Sequence, residues 1–338
     1  MSGLTDDLRE RLLRLRRDTA GEWGEALRGG APHKPLLLLA VADLIEAGLI
    51  RDNTIRYDDR LLGAFDGYWR ECVGDRPTNP LQPFWYLQND GGLWQLAPRT
   101  GAPDGAVAGD VAGAVAGGRV PTLARFRDAV AHAQLAPELW QALQDPATRD
   151  EVRAVLVGRY FGGGLRAALQ QRHELLLQAV VYEDELRCRL RRDLGDLFGG
   201  DGALDPRFTA EGRSLAFRAV VVEAYTHACA VCGTSVRTPA GRSVVEAAHI
   251  VPFRVCRNND PRNGLALCPL HHWTFDQGAM AVRDDLRIVV HAAATGLVAD
   301  ESFHRLAGQP LRLPADGACA PSPLALAWHR AHVFDAAV

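Results

Sequence analysis

The chain has 338 residues, of which 47% are hydrophobic and 23% charged, and its formal net charge is −3. This composition is ordinary for folded protein and excludes a largely disordered chain, while the length predicts two domains of roughly 100–200 residues each. A net charge this close to zero excludes binding to nucleic acid by bulk attraction alone, so contacts with phosphate must come from local clusters such as RERLLRLRR at 9–17.

The N-terminal region reads as helices followed by a small hairpin. Leucines with helical spacing, long apolar runs and an Asn-Asp-Gly-Gly turn predict five elements in chain order. These are a helix at 4–17, a helix at 33–50, a short strand NTIRYDD at 53–59, a helix at 60–72, and a hairpin of PFWYLQND at 83–90 with LWQL at 93–96. Helices followed by such a hairpin predict a winged-helix-like arrangement.

The middle of the chain predicts a loop and then a helical block. Residues 97–118 are mostly Ala, Gly, Val and Asp, which suits a flexible loop. Helical patterning resumes at Thr122 and continues to about Leu197, with breaks near Pro146 and at the glycines 162–164. We expect a first domain at 1–165, a helical connector at 166–205 and a second domain at 206–338.

No segment predicts a membrane span or an export signal. The longest apolar run, at 35–50, is interrupted by Asp43 and Glu46 and falls short of the ~18 apolar residues that a span needs. The first residues, MSGLTDDLRERL, lack the apolar core of a signal peptide, so we expect a cytoplasmic protein. Seven cysteines is an odd number, and metal ligands with free thiols suit a reducing compartment better than a disulfide framework.

Two short motifs in the second domain have the spacing of a zinc site. Cys229 and Cys232 form a CxxC pair, and Cys268 and His271 form a CxxH pair about 35 residues later. Three thiolates and one imidazole suit a tetrahedral structural Zn²⁺ with no open position, on which folding of the domain would depend. The alternative is that the CxxC pair is a redox pair or a coincidence.

Between and after these pairs lie a histidine on an apolar strand, an asparagine in a turn, and a second histidine in a helix: His249 in VVEAAHIVPF, Asn263 in NNDPRNGLALC, and His272. This series, interleaved with the zinc pairs over about 229–290, resembles the HNH nuclease motif. The resemblance implies a ββα unit that binds one catalytic metal ion and hydrolyses phosphodiester bonds.

The chemistry of hydrolysis assigns a role to each residue. His249 would be the general base, His272 a ligand of Mg²⁺, Mn²⁺ or another divalent cation, and Asn263 the residue that holds the loop and the base in register. Asp276, one helical turn after His272, would be a second ligand or would orient the first.

One position departs from the family pattern. Many HNH nucleases have an aspartate ligand directly before the base, where this chain has Ala248. Asp276 compensates, Glu246 reaches the metal, or the ion is loosely held; the other interpretation is that both carboxylates are ordinary surface groups.

Arginines flank the motif and are candidates for contacts with DNA phosphates, with solvated loop charge as the alternative. They are Arg237, Arg242, Arg254, Arg257 and Arg262.

The first domain carries a second resemblance. HKPLLLL, QPFWYLQNDGGLWQL and VGRYF at 157–161 resemble the DNA sulfur-binding domain that precedes HNH units in McrA-like, modification-dependent (type IV) restriction endonucleases. The resemblance implies an apolar pocket for a phosphorothioate sulfur, with Pro83 as its proline and His33 and Lys34 as a basic pair. Gln82 stands where an aromatic residue often precedes that proline. The alternative is that Pro83, Phe84 and Trp85 are strand-start and core residues and that His33 and Lys34 are only the N-terminus of a helix.

Together these patterns predict an α+β fold: a winged-helix-like sulfur-binding domain, a helical connector, and a C-terminal ββα-metal HNH domain with a structural zinc. The expected function is a type IV restriction endonuclease acting on phosphorothioate-modified double-stranded DNA. Two alternatives stay open: an HNH nuclease that reads methylated or unmodified DNA, and a zinc-stabilised DNA-binding protein without catalysis. A homodimer through 9–17 or the helix around 172–192 is a further prediction.

Overall fold

The computed structural model describes residues 3–99, 120–192, 205–292, 294 and 301–335. The chain divides into two compact units, the first formed by residues 1–177 with 238–242 and the second by residues 178–237 with 243–338. The predicted connector at 166–205 stays a prediction, since residues 193–204 lie outside the described ranges.

Unit 1 consists mainly of helices around one two-stranded sheet. In chain order its elements are α1 Asp6–Leu13, α2 His33–Glu46, α3 Asp59–Val73, α4 Leu81–Tyr86, β1 Trp94–Pro98, α5 Leu123–Ala129, β2 Val130–Leu135, α6 Pro137–Gln144, α7 Pro146–Tyr160 and the first part of α8 Gly163–Arg189. Helix starts are set by side-chain caps: the Thr5, Asp58 and Asp145 side chains accept hydrogen bonds from the backbone N–H three residues on. Helix α2 is buried from Pro35 to Ile45, Asp43 included, as a helix that is apolar on nearly every side requires.

The predicted hairpin at 83–96 is wrong. Residues 81–86 form α4, and β1 pairs antiparallel with β2, with Trp94 opposite Leu135. Pro83, Phe84 and Trp85 are consecutive and all buried. A helix packed in the core permits this, whereas in a hairpin strand with one face exposed to solvent the side chains would alternate between buried and exposed. The winged-helix interpretation depended on this hairpin and is not confirmed.

Two other local predictions change. The strand predicted at 53–59 is reduced to a single bridge between Ile55 and Ala133. Strand β2 interrupts the helical run that was predicted from Thr122. The loop predicted at 97–118 lies largely outside the described residues, and its first two residues complete β1.

Unit 2 contains the predicted ββα arrangement. Its elements are the second part of α8, then α9 Ala210–Ala224, β3 Glu246–His249, α10 Phe253–Cys256, β4 Gly264–Leu267, α11 Pro269–Asp276, β5 Met280–Val282, β6 Ile288–Val290, α12 Glu301–His304 and α13 Pro323–His329. Strands β3 and β4 are antiparallel, with His249 opposite Gly264, and α11 follows β4 directly. Phe217 and Val221 of α9 belong to the core that supports this sheet.

Among the described helices, none combines the length and the apolar character that crossing a membrane requires. All seven cysteines are free of disulfide bonds in the structure.

Candidate metal centre and nuclease site

The four predicted zinc ligands come together at one point of unit 2. The ligand atoms of Cys229, Cys232, Cys268 and His271 all lie within 4.8 Å of one another. The His271 Nδ1 atom is 3.2 Å from Cys268 Sγ and 3.5 Å from Cys229 Sγ. Ligands at ordinary Zn–S and Zn–N distances are separated by about 3.5–3.8 Å in a tetrahedron, so this group fits a structural zinc ion.

The protonation chemistry of the group supports a metal. Burial raises the pKa of the Cys229 thiol to about 12, so without a cation this sulfur stays protonated. Burial also lowers the pKa of His271, which keeps the imidazole neutral as a ligand must be. The sulfur atoms of the buried Cys229 and Cys268 and of the exposed Cys232 therefore form, with one imidazole, a metal-type donor set.

His249, at the end of β3, is held between two aromatic rings. Its imidazole stacks on Phe217 with centroids 3.9 Å apart and an interplanar angle of 7°, and Phe253 lies 5.8 Å away. Gly264, opposite His249, makes room for this stack, because a Cβ there would lie 3.0 Å from Phe217 Cζ and 2.6 Å from a Val221 methyl. The ring plane of His249 is therefore fixed by packing.

Asn259, which the sequence interpretation overlooked, fixes the hydrogen-bonding state of that ring. His249 Nε2 is 3.0 Å from Asn259 Oδ1, and the Asn259 amide Nδ2 donates to the Tyr182 hydroxyl at 3.5 Å. Since an amide oxygen only accepts, Nε2 carries the proton and Nδ1 keeps its lone pair. Burial lowers the pKa of His249, and the hydrogen bond to Asn259 partly offsets that effect, so the ring is neutral at pH 7.

Asn263 ties the segment between the two strands to the sheet. Its fully buried side chain accepts a hydrogen bond from Val251 N–H at 2.9 Å and donates to Val251 C=O at 3.0 Å and to Asn258 C=O at 3.4 Å. The Asn263 backbone carbonyl also accepts from Ile250 N–H at 2.9 Å. These bonds hold the residues that directly follow His249.

His272 lies between two carboxylates. Its Nδ1 is 2.7 Å from Glu246 Oε2, and its Nε2 is 3.5 Å from Asp276 Oδ2. When Nδ1 donates to Glu246, the lone pair of Nε2 faces Asp276, and a histidine oriented by a carboxylate in this way is typical of metal ligands. His272 Nε2 and Asp276 therefore offer an imidazole and a carboxylate to a divalent cation.

Ala248, where the chain departs from the family pattern, packs in the core of unit 2. Ala248 is fully buried in the core, opposite Leu265 in the sheet, and Glu246 on the same strand reaches His272. Among the described residues, no other three His, Cys, Asp or Glu side chains converge as the zinc group does. A divalent cation bound at His272, separate from the zinc ion, would therefore have two protein ligands, His272 and Asp276. Phosphate and water would complete its coordination shell, as is common in Mg²⁺ sites.

The arginines near the motif divide into engaged and exposed groups. Arg262 pairs with Asp260 at 2.7 Å and donates to the Arg192 carbonyl at 2.9 Å, and Arg242 pairs with Asp66 inside unit 1. Arg254 and Arg257 on and just after α10 are exposed, while Arg237 is half-buried. Arg254 and Arg257 are thus the side chains best exposed for phosphate.

The predicted sulfur-site residues lie on two helices of unit 1. Lys34, near the start of α2, forms an ion pair with the buried carboxylate of Asp90, which also accepts from Arg16 N–H at 2.7 Å. His33 sits 4.5 Å from the ring of Trp69 and 5.7 Å from that of Trp23. Burial, together with the positive charge of Arg76, lowers the pKa of His33 to about 4, so this imidazole is neutral at pH 7.

The other two predicted sulfur-site residues, Gln82 and Pro83, lie on α4. Gln82 is exposed and Pro83 is buried. Asp90 is a residue that the sequence interpretation did not single out. It follows an aromatic-rich helix, and its position beside Gly91 and Gly92 suggested only a turn.

No curated protein matches the chain. One similar solved structure, titled "Modification dependent TagI restriction endonuclease", has 24% sequence identity and a TM-score of 0.29, and the match covers 38% of this chain and 40% of that one. The chain thus corresponds to less than half of that structure.

Two family models match separate parts of the chain. Residues 229–283, which contain the zinc ligands, His249, Asn263 and His272, match the HNH endonuclease family. Residues 5–177, just over half of the 338, match the family described as ScoMcrA-like, DNA sulfur-binding domain. The chain therefore belongs to the ScoMcrA-like DNA sulfur-binding domain family and carries an HNH DNA endonuclease domain after it.

Proposed function

We propose that this protein is a modification-dependent (type IV) restriction endonuclease that recognises phosphorothioate linkages in double-stranded DNA and hydrolyses nearby phosphodiester bonds. The observation that carries the proposal is the combination, in one chain, of a DNA sulfur-binding domain at 5–177 and an HNH site whose histidines lie on one ββα unit. Restriction of modified DNA requires one domain that recognises the modification and a second domain that cleaves the DNA. The sulfur-binding domain and the HNH domain have these two functions in the proposal.

In the proposed mechanism His249 is the general base. Its Nδ1 lone pair takes a proton from the attacking water, while Asn259 holds Nε2–H and Phe217 holds the ring plane. The lowered pKa of His249 keeps the base unprotonated at neutral pH. Arg254 and Arg257 contact the phosphates on either side.

His272 and Asp276 are the proposed protein ligands of one divalent cation, Mg²⁺ or Mn²⁺, and Glu246 orients His272 through Nδ1. A cation bound there supplies positive charge to the scissile phosphate and to the leaving oxygen. Zn²⁺ at Cys229, Cys232, Cys268 and His271 has the separate role of holding the segment 229–232 against the start of α11.

Recognition of sulfur is assigned to unit 1. A phosphorothioate sulfur is larger and less well hydrated than phosphate oxygen, so an apolar wall that includes Pro83 selects it, because oxygen loses more hydration there. His33, neutral at pH 7, acts in this proposal as a hydrogen-bond donor and not as a cation. Lys34, held in place by its ion pair with Asp90, supplies the positive charge. Gln82, on the exposed side of α4, contacts the DNA backbone next to the modified linkage.

Cleavage of matched duplexes tests the proposal. Two duplexes of one sequence, with and without phosphorothioate linkages, are incubated with the full chain in Mg²⁺ or Mn²⁺. The proposal predicts cutting of the modified duplex, strong preference over the unmodified one, and complete loss of cutting but not of binding in His249→Ala. Equal cutting of both duplexes would remove the sulfur-reading part, and scission unchanged in His249→Ala would remove the assigned site.

A further inference from the structure

Helix α11 presents one continuous solvent-facing arc that joins the candidate catalytic site to an apolar edge. At 3.6 residues per turn, Asp276 lies about 40° around the helix from His272, Trp273 about 100° and Leu270 about 160°. All of these side chains are exposed or half-exposed, whereas His271, Thr274 and Phe275 on the opposite side are buried. The edge formed by Trp273 and Leu270 therefore begins where the metal-binding edge ends.

Trp273 and Leu270 are unusual for their exposure. Their exposed fractions are 61% and 58%, among the largest of any big apolar side chains in the described part of the chain. The helix beneath them is firmly held, because the ring of Phe275 stacks on His329 at 3.6 Å and the Thr274 hydroxyl donates to the Leu270 carbonyl at 3.0 Å. A rigid helix with an exposed indole is a suitable platform for a ligand that stacks or packs on it.

The identity of that ligand follows from the neighbouring residues. A protein docked over Trp273 and Leu270 would extend over His272 and Asp276, which are the next side chains on the same arc, and would close the site to phosphate. DNA bound with its scissile phosphate at His272 brings the adjoining nucleotide onto this edge instead. The exposed guanidinium group of Arg254 adds positive charge beside Asp276, and Arg257, three residues further along the chain, is exposed as well, which suits a polyanion.

We propose that Trp273, supported by Leu270, is a DNA-contact surface that packs against the nucleotide next to the scissile phosphate and holds that phosphate in line with His249. This inference rests on the proposed nuclease function and extends it to residues that neither the zinc site nor the catalytic series includes. Aromatic contact with an unstacked base or the sugar face is independent of sequence, so it adds positioning without adding specificity.

Single-turnover cleavage of the phosphorothioate duplex in Mn²⁺ tests the surface, with the full chain as wild type, Trp273→Ala, Trp273→Phe and Leu324→Ala. Leu324 is the matched control, since it is 62% exposed and lies on α13 outside the proposed site. We expect Trp273→Ala to cut about ten- to a hundredfold more slowly, Trp273→Phe to retain most of the rate, and Leu324→Ala to stay within about twofold of wild type. Zinc content and the thermal unfolding temperature should be equal in all four proteins, because both residues are exposed.

A second measurement does not depend on cutting. In a His249→Ala background, DNA should quench tryptophan emission, and the quenched component should disappear when Trp273→Phe is added. Wild-type cleavage by Trp273→Ala, or equal quenching with and without Trp273, would overturn the inference. So would light scattering that shows a dimer converted to monomer by Trp273→Ala, which would assign the edge to a second copy. If wild type cuts neither duplex, the proposed function fails, and the fluorescence comparison still decides whether DNA touches Trp273.

Discussion

Replacing Asn263 by alanine should open the segment that follows the catalytic base. The Asn263 amide is the acceptor for Val251 N–H and a donor to the carbonyls of Val251 and Asn258, and all of these groups are buried. A buried donor left without an acceptor costs about 1–3 kcal/mol, and the two carbonyls and the small cavity add to that. We therefore expect the free energy of opening this segment to fall by about 2–4 kcal/mol.

Hydrogen exchange measures this change directly. At tenfold per 1.4 kcal/mol, protection of the Val251 amide should fall by about 30- to 700-fold, while the amides of α2 in unit 1 should be unaffected. Cleavage should fall as well, because His249 immediately precedes the released segment. Val255→Ala, an exposed position in the same segment, is the control and should leave protection within about twofold.

The account of Asn263 would be refuted by unchanged Val251 protection in Asn263→Ala. It would also be refuted if exchange increased equally throughout unit 2, since the effect would then be global unfolding and not release of one segment.

Three further predictions concern the metal sites and the base. Removing zinc with a chelator, or replacing Cys268 by serine, should abolish near-ultraviolet circular dichroism from unit 2 together with cleavage, and re-addition of Zn²⁺ should restore both only in the unsubstituted chain; a chelated protein with an intact spectrum would contradict the structural role. Glu246→Gln should raise the Mn²⁺ concentration for half-maximal cleavage by about 10- to 100-fold, and an unchanged metal requirement would argue against its orienting His272. Because the base acts only when neutral, wild-type rate should rise with pH through a midpoint below 6.5, the ordinary histidine pKa, since burial lowers the pKa of His249. In Asn259→Ala the rate should fall by about 10²-fold or more, and the midpoint should move lower still, because the bond that stabilises the charged ring is lost; a midpoint that stays in place would contradict the role of Asn259.

The zinc group and the HNH series could be read from the sequence because their chemistry depends on residue type and spacing. Cys229, Cys232, Cys268 and His271 are near one another in the fold for the same reason that they are recognisable in the chain, namely that two short knuckles each supply two ligands. Asn259 could not be found in this way. Its role depends on where the segment between β3 and β4 turns back toward His249, which only the three-dimensional packing decides.

In the first domain the local structure could not be predicted from the sequence. The residues 83–90 have the aromatic content of a strand and are followed by a Gly-Gly turn, yet 81–86 form a helix in which Pro83, Phe84 and Trp85 are all buried. Strand β1 finds its partner beyond residue 120, a long-range pairing that local propensity cannot reveal. The neutral state of His33 is equally hidden, since it depends on burial beside Trp69 and on the charge of Arg76.

Competition in a single tube tests the central claim most directly. Two duplexes of identical sequence, one with phosphorothioate linkages and one without, carry different fluorescent labels and are mixed with the full chain, Mn²⁺ and physiological salt. The account predicts that the modified duplex is cut at least about tenfold faster, that Pro83→Ser reduces this ratio toward one, and that His249→Ala cuts neither while still binding the modified duplex more tightly. A ratio of one for the unsubstituted chain would contradict it.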